Sequence, residues 1–129
     1  MSPIAHALLV YIVHDDDSVR RGLSRLMSAS GYEAKVYGTP EQFLEEVTGQ
    51  RAGCVLLDVT MPRVTGLQVQ ARLKEMGLNL PVIAVSARDD EKTRVTAREL
   101  GARFFLRKPV DDQALLDAIS WVTGAAHAD

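Results

Sequence analysis

The sequence lacks several features that would point to particular classes of protein. A single cysteine, Cys54, excludes a disulfide within the chain. Lys and Arg number 15 against 17 Asp and Glu, so the net charge of −2 shows no basic excess of the kind that nucleic acids or anionic membranes attract. The first apolar run, residues 7–13, is too short to span a bilayer and has no basic flank typical of a secretory signal. We therefore expect a cytoplasmic protein that binds neither membranes nor nucleic acid directly.

The composition that is present fits one folded domain. The chain has 129 residues, a common size for a single domain, and 47% of them are hydrophobic, which is enough for one sizeable core. No linker, repeat or low-complexity segment separates two halves, and only a short tail of small and polar residues follows Gly124. We expect a single domain over residues 1–129, with its core at about 8–122 and no further output domain in this chain.

Five apolar runs alternate with five segments that carry helix signals. The runs typical of strands lie at residues 8–13, 33–37, 53–58, 81–86 and 103–106. Three of the predicted helices have caps, at Asp17 or Ser18, at Thr39 before Pro40, and at Asp111 or Asp112. The other two begin at Leu67 and at Asp89 or Asp90. They end near residues 31, 49, 76, 101 and 122, mostly at a glycine.

This alternation predicts an α/β fold with a doubly wound, five-stranded parallel sheet covered on both faces by helices. Parallel strands need crossover connections, and those connections are right-handed. The pattern alone does not fix the strand order. In the flavodoxin-like order 2-1-3-4-5, the ligand-binding switch point lies between strands one and three, beyond their carboxyl ends.

Both of these strands run into acidic residues. Asp15 and Asp16 follow the first, and Asp58 ends the third. Two carboxylates about 4 Å apart repel by roughly 4 kcal/mol at an effective dielectric constant near 20, so a cation is needed between them. Mg²⁺ prefers one or two carboxylates with water and phosphate. The alternative is that residues 15–17 only form a first helical turn, where acids favour the helix dipole.

Two further strand ends complement the acids. Ser86 ends the fourth strand, and Lys108 follows the fifth, where its ammonium can pair with a carboxylate or a phosphoryl group. Taken singly, each would be an ordinary solvated residue. Together with Asp58 they favour phosphoryl transfer to a carboxylate, in which Asp58 is the nucleophile and positive charge neutralises the phosphoryl oxygens.

The sequence also resembles a known family. The motifs "VHDDDSVRRGL", "VLLDVTMPRVTGL", "PVIAVSA" and "GARFFLRKPV" are similar to those of the receiver domains of two-component response regulators, FixJ-type transcription regulators above all. The resemblance implies that a sensor histidine kinase phosphorylates Asp58. Asp15, Asp58 and the backbone carbonyl of Thr60 would hold Mg²⁺ or Mn²⁺, and Lys108 would hold the phosphoryl group.

The same resemblance implies a switch. Ser86 would turn to hydrogen-bond the phosphoryl group while Phe105 moves inward, and this would change the surface of the fourth helix, fifth strand and fifth helix. Thr60 and Arg88 occupy positions that tune the lifetime of the phosphate in relatives, and the bond before Pro109 is expected to be cis. An output domain, a partner protein or a phosphorylation-dependent homodimer would use the changed surface.

Two residues depart from the family pattern. His14 stands where the family nearly always has an acid, and with Asp16 it would lie in the outer shell of the metal. An imidazole lacks the full negative charge, so we expect weaker Mg²⁺ binding, especially once His14 is protonated near its ordinary pKa of about 6.5. The alternative is that Asp16 compensates. The second departure is Val110, where Phe is common.

Three other functions are alternatives to a phosphorylated receiver domain. A flavodoxin needs a phosphate loop after the first strand, where this chain has three carboxylates that repel an unescorted phosphate. A haloacid-dehalogenase-type phosphatase needs a second acid where Thr60 stands. The remaining rival is a degenerate receiver, which binds partners but no longer switches by phosphorylation; His14 favours it, whereas Asp15, Asp58, Ser86 and Lys108 oppose it.

Overall fold

The computed structural model describes residues 8–47, 52–59, 65–87 and 91–124. Strands and helices alternate along them: β1 (Leu9–Val13), α1 (Asp17–Ala29), β2 (Glu33–Tyr37), α2 (Pro40–Glu46), β3 (Ala52–Asp58), α3 (Gly66–Glu75), β4 (Val82–Ser86), α4 (Glu91–Glu99), β5 (Ala102–Arg107) and α5 (Asp112–Thr123). The strands form one parallel sheet in the order β2-β1-β3-β4-β5. The predicted fold class and strand order are confirmed. Within the described residues, no helix is long and apolar enough to cross a membrane.

The sheet is buried at its centre and partly exposed at its edges. All residues of β1 and β4 are buried, whereas the edge strands β2 and β5 consist mostly of half-buried and exposed residues. The continuous apolar runs of the central strands are typical of strands covered on both faces. In the register, Val13 of β1 lies beside Leu57 of β3, and Asp58 lies beside Val85 of β4, so these strands end at one edge of the sheet.

Alternate side chains of the strands enter two separate cores. On the face covered by α2, α3 and α4, here called the aromatic face, the rings of Tyr11, Tyr37 and Phe43 pack together with centroids 5.4–6.2 Å apart. The face covered by α1 and α5, here called the aliphatic face, is built from Ile12, Leu56 and similar side chains. Asp58 follows Leu56 by two residues, so its side chain also points to the aliphatic face.

The helix boundaries correct some of the predicted ones. Asp16, and not Asp17 or Ser18, caps α1: its carboxylate accepts a hydrogen bond from the backbone N–H of Val19 at 3.1 Å. The predicted end of α2 near Gly49 was too late, because Val47 already has extended backbone angles. Residues 48–50 lie outside the described part of the chain.

The remaining boundaries agree with the sequence to within two residues. Thr65 and Gln68 form a reciprocal capping box that begins α3 one residue before the predicted Leu67. Asp111 caps α5, and the Lys108–Pro109 peptide bond is cis, as predicted. β5 is one residue longer at each end than predicted. The predicted caps of α4, Asp89 and Asp90, lie outside the described residues.

Candidate functional site

Three side chains from separate strand ends meet at the carboxyl edge of the sheet. Asp58 is the last residue of β3, His14 follows β1 directly, and Lys108 follows β5. The Lys108 Nζ atom lies 2.9 Å from Asp58 Oδ2 and 2.9 Å from His14 Nε2. His14 Nε2 lies 3.3 Å from the same Asp58 oxygen. The structure therefore brings these three strand ends together, as the sequence analysis expects.

Backbone hydrogen bonds extend the sheet pairing into this edge. The N–H of Lys108 donates to the Ser86 carbonyl at 2.8 Å, and the N–H of Val59 donates to the Val85 carbonyl at 3.0 Å. The N–H of His14 donates to the Tyr37 carbonyl at 3.1 Å. The residues that carry the chemistry are thus fixed by main-chain pairing just beyond the strands, as a preorganised site requires.

Asp58 is a buried carboxylate whose charge is balanced by a partly exposed cation. The residue is 4% exposed, whereas the side chain of Lys108 is 29% exposed. A buried charge is tolerated only when it is paired and hydrogen-bonded. The Lys108 ammonium meets that requirement and leaves Asp58 facing a cavity that Lys108 also lines.

His14 is held as a neutral ring between the cluster and α1. The backbone N–H of Asp16 donates to His14 Nδ1 at 3.1 Å, and Nε2 lies between the Lys108 ammonium and Asp58 Oδ2. Burial lowers the pKa of His14 below its ordinary value, and the positive charge of Lys108 acts in the same direction, against the carboxylates of Asp58 and Asp15. His14 is therefore protonated at a lower pH than the expected value near 6.5.

Arg20 is a contributor that the sequence analysis missed. Its Nη1 atom donates to the His14 carbonyl at 2.6 Å, and its Nη2 atom donates to Asp17 Oδ1 at 3.1 Å. Space for the guanidinium depends on Gly38, where a Cβ atom would lie 3.0 Å from Arg20 Nη1. The Asp17–Arg20 spacing of three residues on a helix was the available signal. This spacing gives no sign of the hydrogen bond from Arg20 to the His14 carbonyl.

The donor atoms of the site fit a magnesium ion in part. Ligand atoms of His14, Asp15 and Asp58 lie within 4.8 Å of one another. Mg²⁺ favours oxygen, so the carboxylates of Asp15 and Asp58 suit it, with water completing the shell. The His14 ring suits it less, because nitrogen is a poorer ligand for this ion and Nδ1 already accepts the Asp16 N–H.

The Asp16 carboxylate serves as the cap of α1 and not as part of the charged cluster. Its carboxylate accepts the N–H of Val19 as the cap of α1, and this hydrogen bond lowers the pKa of Asp16. The prediction that Asp16 belongs to an outer shell of the metal remains a prediction. Thr60, the predicted backbone ligand, lies outside the described residues, as does Arg88.

The two predicted switch residues occupy different environments. Ser86 is fully buried at the end of β4, beside Arg107 of β5 in the register. Phe105 is half-buried and packs against the aromatic face, and the Arg94 guanidinium carbon lies 6.0 Å from the centre of its ring. Phe105 therefore lies at the border between α4 and β5.

Gly66 sets how closely α3 approaches the site. A Cβ atom at this position would lie 2.4 Å from Val59 Cα and 2.6 Å from the Asp58 carbonyl oxygen. Both contacts are to backbone, so neither can be relieved by a rotamer change. The absence of a side chain at residue 66 is what lets the first turn of α3 lie against the end of β3.

A cavity of about 450 Å³ opens beside the charged cluster, and the sequence analysis did not foresee it. It lies on the aliphatic face, between the first turns of α1, the end of the sheet and the start of α5. Apart from His14, Asp58 and Lys108 its lining is apolar, and includes Ile12, Val19, Leu23, Leu56, Val85, Pro109, Val110 and Leu115.

The fold and this arrangement of strand ends define a class. The family model of the response regulator receiver domain matches residues 10–120, and the chain belongs to that family. The response regulator protein TodT of Pseudomonas putida is 38% identical over 113 residues, which are 88% of this chain and 50% of TodT. The transcriptional regulatory protein FixJ of Azorhizobium caulinodans is 34% identical over 88% of this chain and 54% of its own length.

Solved structures give the same result. The response regulator StyR superposes with a TM-score of 0.85 at 35% identity, covering 92% of this chain and 60% of StyR. The chain spans about half the length of the curated relatives it matches. The protein is therefore a receiver domain of a two-component response regulator, a class of signalling switches.

Proposed function

We propose that this receiver domain accepts a phosphoryl group on Asp58 from a sensor histidine kinase, in a Mg²⁺- or Mn²⁺-dependent reaction. The observation that supports this most is the contact of the Asp58 carboxylate with the Lys108 ammonium at 2.9 Å, at the mouth of a cavity. A carboxylate so placed is a nucleophile with a cation ready for the incoming phosphoryl oxygens.

The residues of the chain have separate tasks in this reaction. An Asp58 oxygen attacks phosphorus, and the bond between phosphorus and the donor breaks as the aspartyl-phosphate forms. Lys108 then shifts its hydrogen bonds from the carboxylate toward the phosphoryl oxygens, which carry more negative charge. Slow loss of the phosphate to water would reset the protein, and Thr60 and Arg88 would set its rate.

A bound Mg²⁺ would neutralise charge on the phosphoryl group, and the carboxylates of Asp15 and Asp58 with the Thr60 carbonyl are the proposed protein ligands. His14 contributes a neutral ring in place of a charge. Its Nε2 atom lies 3.3 Å from an Asp58 oxygen, and a neutral ring at this place supplies no negative charge to help bind a cation.

Phosphorylation would then change the surface formed by α4, β5 and α5. The hydroxyl of Ser86 would bond the phosphoryl group, and Phe105 would move inward from beneath Arg94. An output domain, a partner protein or a second copy of the chain would recognise the change. The chain spans about half the length of its relatives, which supports an output domain beyond a single receiver over about 8–122. Two of these relatives are named transcriptional regulatory proteins, which supports transcription as the output. We place these events in the cytoplasm.

Treatment with acetyl phosphate and Mg²⁺, followed by intact mass measurement, tests the proposal. The wild-type protein should gain the mass of one phosphoryl group, and Asp58→Asn should gain none. Asp112→Asn, an exposed acid at the start of α5, is the matched control and should behave as wild type. Phosphorylation that persists in Asp58→Asn would show that another residue is the acceptor.

The second candidate is a receiver that binds partners without being phosphorylated. His14 favours it, because a neutral ring occupies a place beside Asp58 where an acid would strengthen metal binding. No mass gain in the wild type at saturating Mg²⁺, with correct folding shown by circular dichroism, would favour this alternative over the first.

A further inference from the structure

The cavity on the aliphatic face is too large to be a packing defect. Protein interiors contain few voids larger than one water molecule, whereas this cavity measures about 450 Å³. Its volume lies in the range of small-molecule sites, which are concave and mostly apolar with a few polar groups at one place. The polar groups here are Asp58 and Lys108 with His14, and they converge at the sheet edge.

The shape of the cavity favours a small molecule over the surface of another protein. The floor is made of core residues that are at most 6% exposed, Ile12, Leu56, Val85 and Leu115. A flat protein surface or a helix reaches the rim, where Val19 is 38% exposed, but it does not reach such a floor. An apolar cavity of about 150 Å³ is enough to bind benzene, so this one has room for one or two rings.

The charges at the mouth indicate which kind of small molecule fits. The two charged side chains that line the cavity, Asp58 and Lys108, pair with each other at 2.9 Å and so neutralise each other. A charged ligand would lose its hydration against the apolar walls without gaining a free counter-ion. We propose that the cavity is a binding site for a small, uncharged, mainly apolar molecule, such as a one- or two-ring aromatic compound.

The location beside Asp58 gives the site a consequence, which rests on the proposed function. A molecule in the cavity would occupy space next to the Asp58 carboxylate and the stem of Lys108. Lys108 must move toward an incoming phosphoryl group, so a bound molecule would slow phosphorylation. The binding itself does not depend on this consequence.

Titration of the ¹⁵N-labelled protein with indole, monitored by NMR, tests the binding. Indole should give saturable shifts at Leu23, Val110 and Leu115, which line the cavity. Indole-3-acetate and tryptamine carry the same ring with opposite charges, and both should bind about tenfold more weakly or worse, because a buried charge is costly. Shifts that do not saturate, or equal binding of all three compounds, would overturn the proposal.

Variants that fill the cavity locate the site. Val110→Phe and Val19→Phe add volume at two separate points of the lining and should each weaken indole binding about tenfold or more, by occupying its space. Val95→Phe is the matched control, because Val95 is exposed to the same 38% as Val19 but lies on α4, away from the cavity. Unchanged indole binding in both filled variants would refute the assignment of the site to this cavity. If Val110→Phe does not fold, the result for Val19→Phe at the rim decides the question alone.

The rate of phosphorylation by acetyl phosphate separates the two claims. Saturating indole should slow the wild type several-fold and leave the rate of Val19→Phe unaffected. Binding without any change in rate would overturn the regulatory consequence alone. If the protein takes up no phosphate at all, the proposed function fails, and the NMR titration still decides whether the site exists.

Discussion

The two faces of the sheet differ in how they are filled. The aromatic face packs three rings, Tyr11, Tyr37 and Phe43, against one another with each residue at most 6% exposed. The aliphatic face holds Asp58 and Lys108 at one end, beside a cavity. Stability and chemistry are thus separated across a single sheet: one face packs its rings against one another, and the other keeps a cavity of about 450 Å³ next to its charged groups. The following predictions test this division.

The largest expected effect separates the packing of the two faces. Phe43→Ala should lower the free energy of unfolding by about 3–5 kcal/mol, the usual cost for a buried aromatic ring. Leu115→Ala on the aliphatic face should cost less, about 2 kcal/mol, because the site already borders a cavity and loses fewer contacts. Urea unfolding of both variants measures the difference. An equal or larger cost for Leu115→Ala would remove the distinction.

The next effect concerns the ion pair of the aliphatic face. Lys108→Met keeps much of the side-chain volume but leaves the buried Asp58 carboxylate without its ammonium partner. We expect a loss of about 2 kcal/mol, the scale of a hydrogen bond to a charged group. Lys74→Met, at an exposed lysine of α3, is the control and should change little in the same urea unfolding experiment. If Lys108→Met leaves the free energy of unfolding unchanged, the ion pair contributes nothing to folding.

A smaller effect is expected at His14. His14→Asp adds a negative charge beside the carboxylates that would hold Mg²⁺, and the attraction between such charges about 5 Å apart in water would strengthen binding by about 1–2 kcal/mol, or roughly tenfold. His14→Asn keeps the site neutral at this position and should change affinity little. Isothermal titration with MgCl₂ compares the three proteins. An unchanged affinity in His14→Asp would show that residue 14 does not limit metal binding.

The smallest effect tests the polar edge of the aromatic face. The Tyr37 hydroxyl donates to Glu46 Oε1 at 3.1 Å, so Tyr37→Phe should cost about 1 kcal/mol at neutral pH. Burial, with the bond to Glu46, raises the pKa of Tyr37 to about 12. The unfolded chain therefore loses this proton first, and its contribution to stability declines as pH rises from about 10 to 12. The gap between wild type and variant in urea midpoint should narrow over that range.

The overall fold was predictable because its signals are local and agree with one another. The apolar runs of β1, β3 and β4 and the caps at Thr39 and Asp111 each specify one element within a few residues. The one wrong cap came from three consecutive aspartates, any of which can accept an N–H. The structure selects Asp16, because this choice lets its own backbone N–H reach His14 Nδ1.

The sequence predicts which strand ends form the site, but not which of their atoms are in contact. The convergence of Asp58 and Lys108 follows from strand order, which periodicity leaves open and family resemblance supplied. The neutral state of His14 depends on burial and on the charge of Lys108, 94 residues away along the chain. The cavity depends on how α1 and α5 seat on the sheet, and no local pattern of residues specifies that spacing.

The hydrogen bond from the Lys108 backbone N–H to the Ser86 carbonyl joins two strand ends through their main chains. A rearrangement that moves the backbone of either residue toward the Asp58 carboxylate must stretch or relax this bond. A single amide resonance, that of residue 108, therefore reports on both ends together. Its rate of proton exchange with solvent offers a probe of the edge that leaves every side chain unaltered.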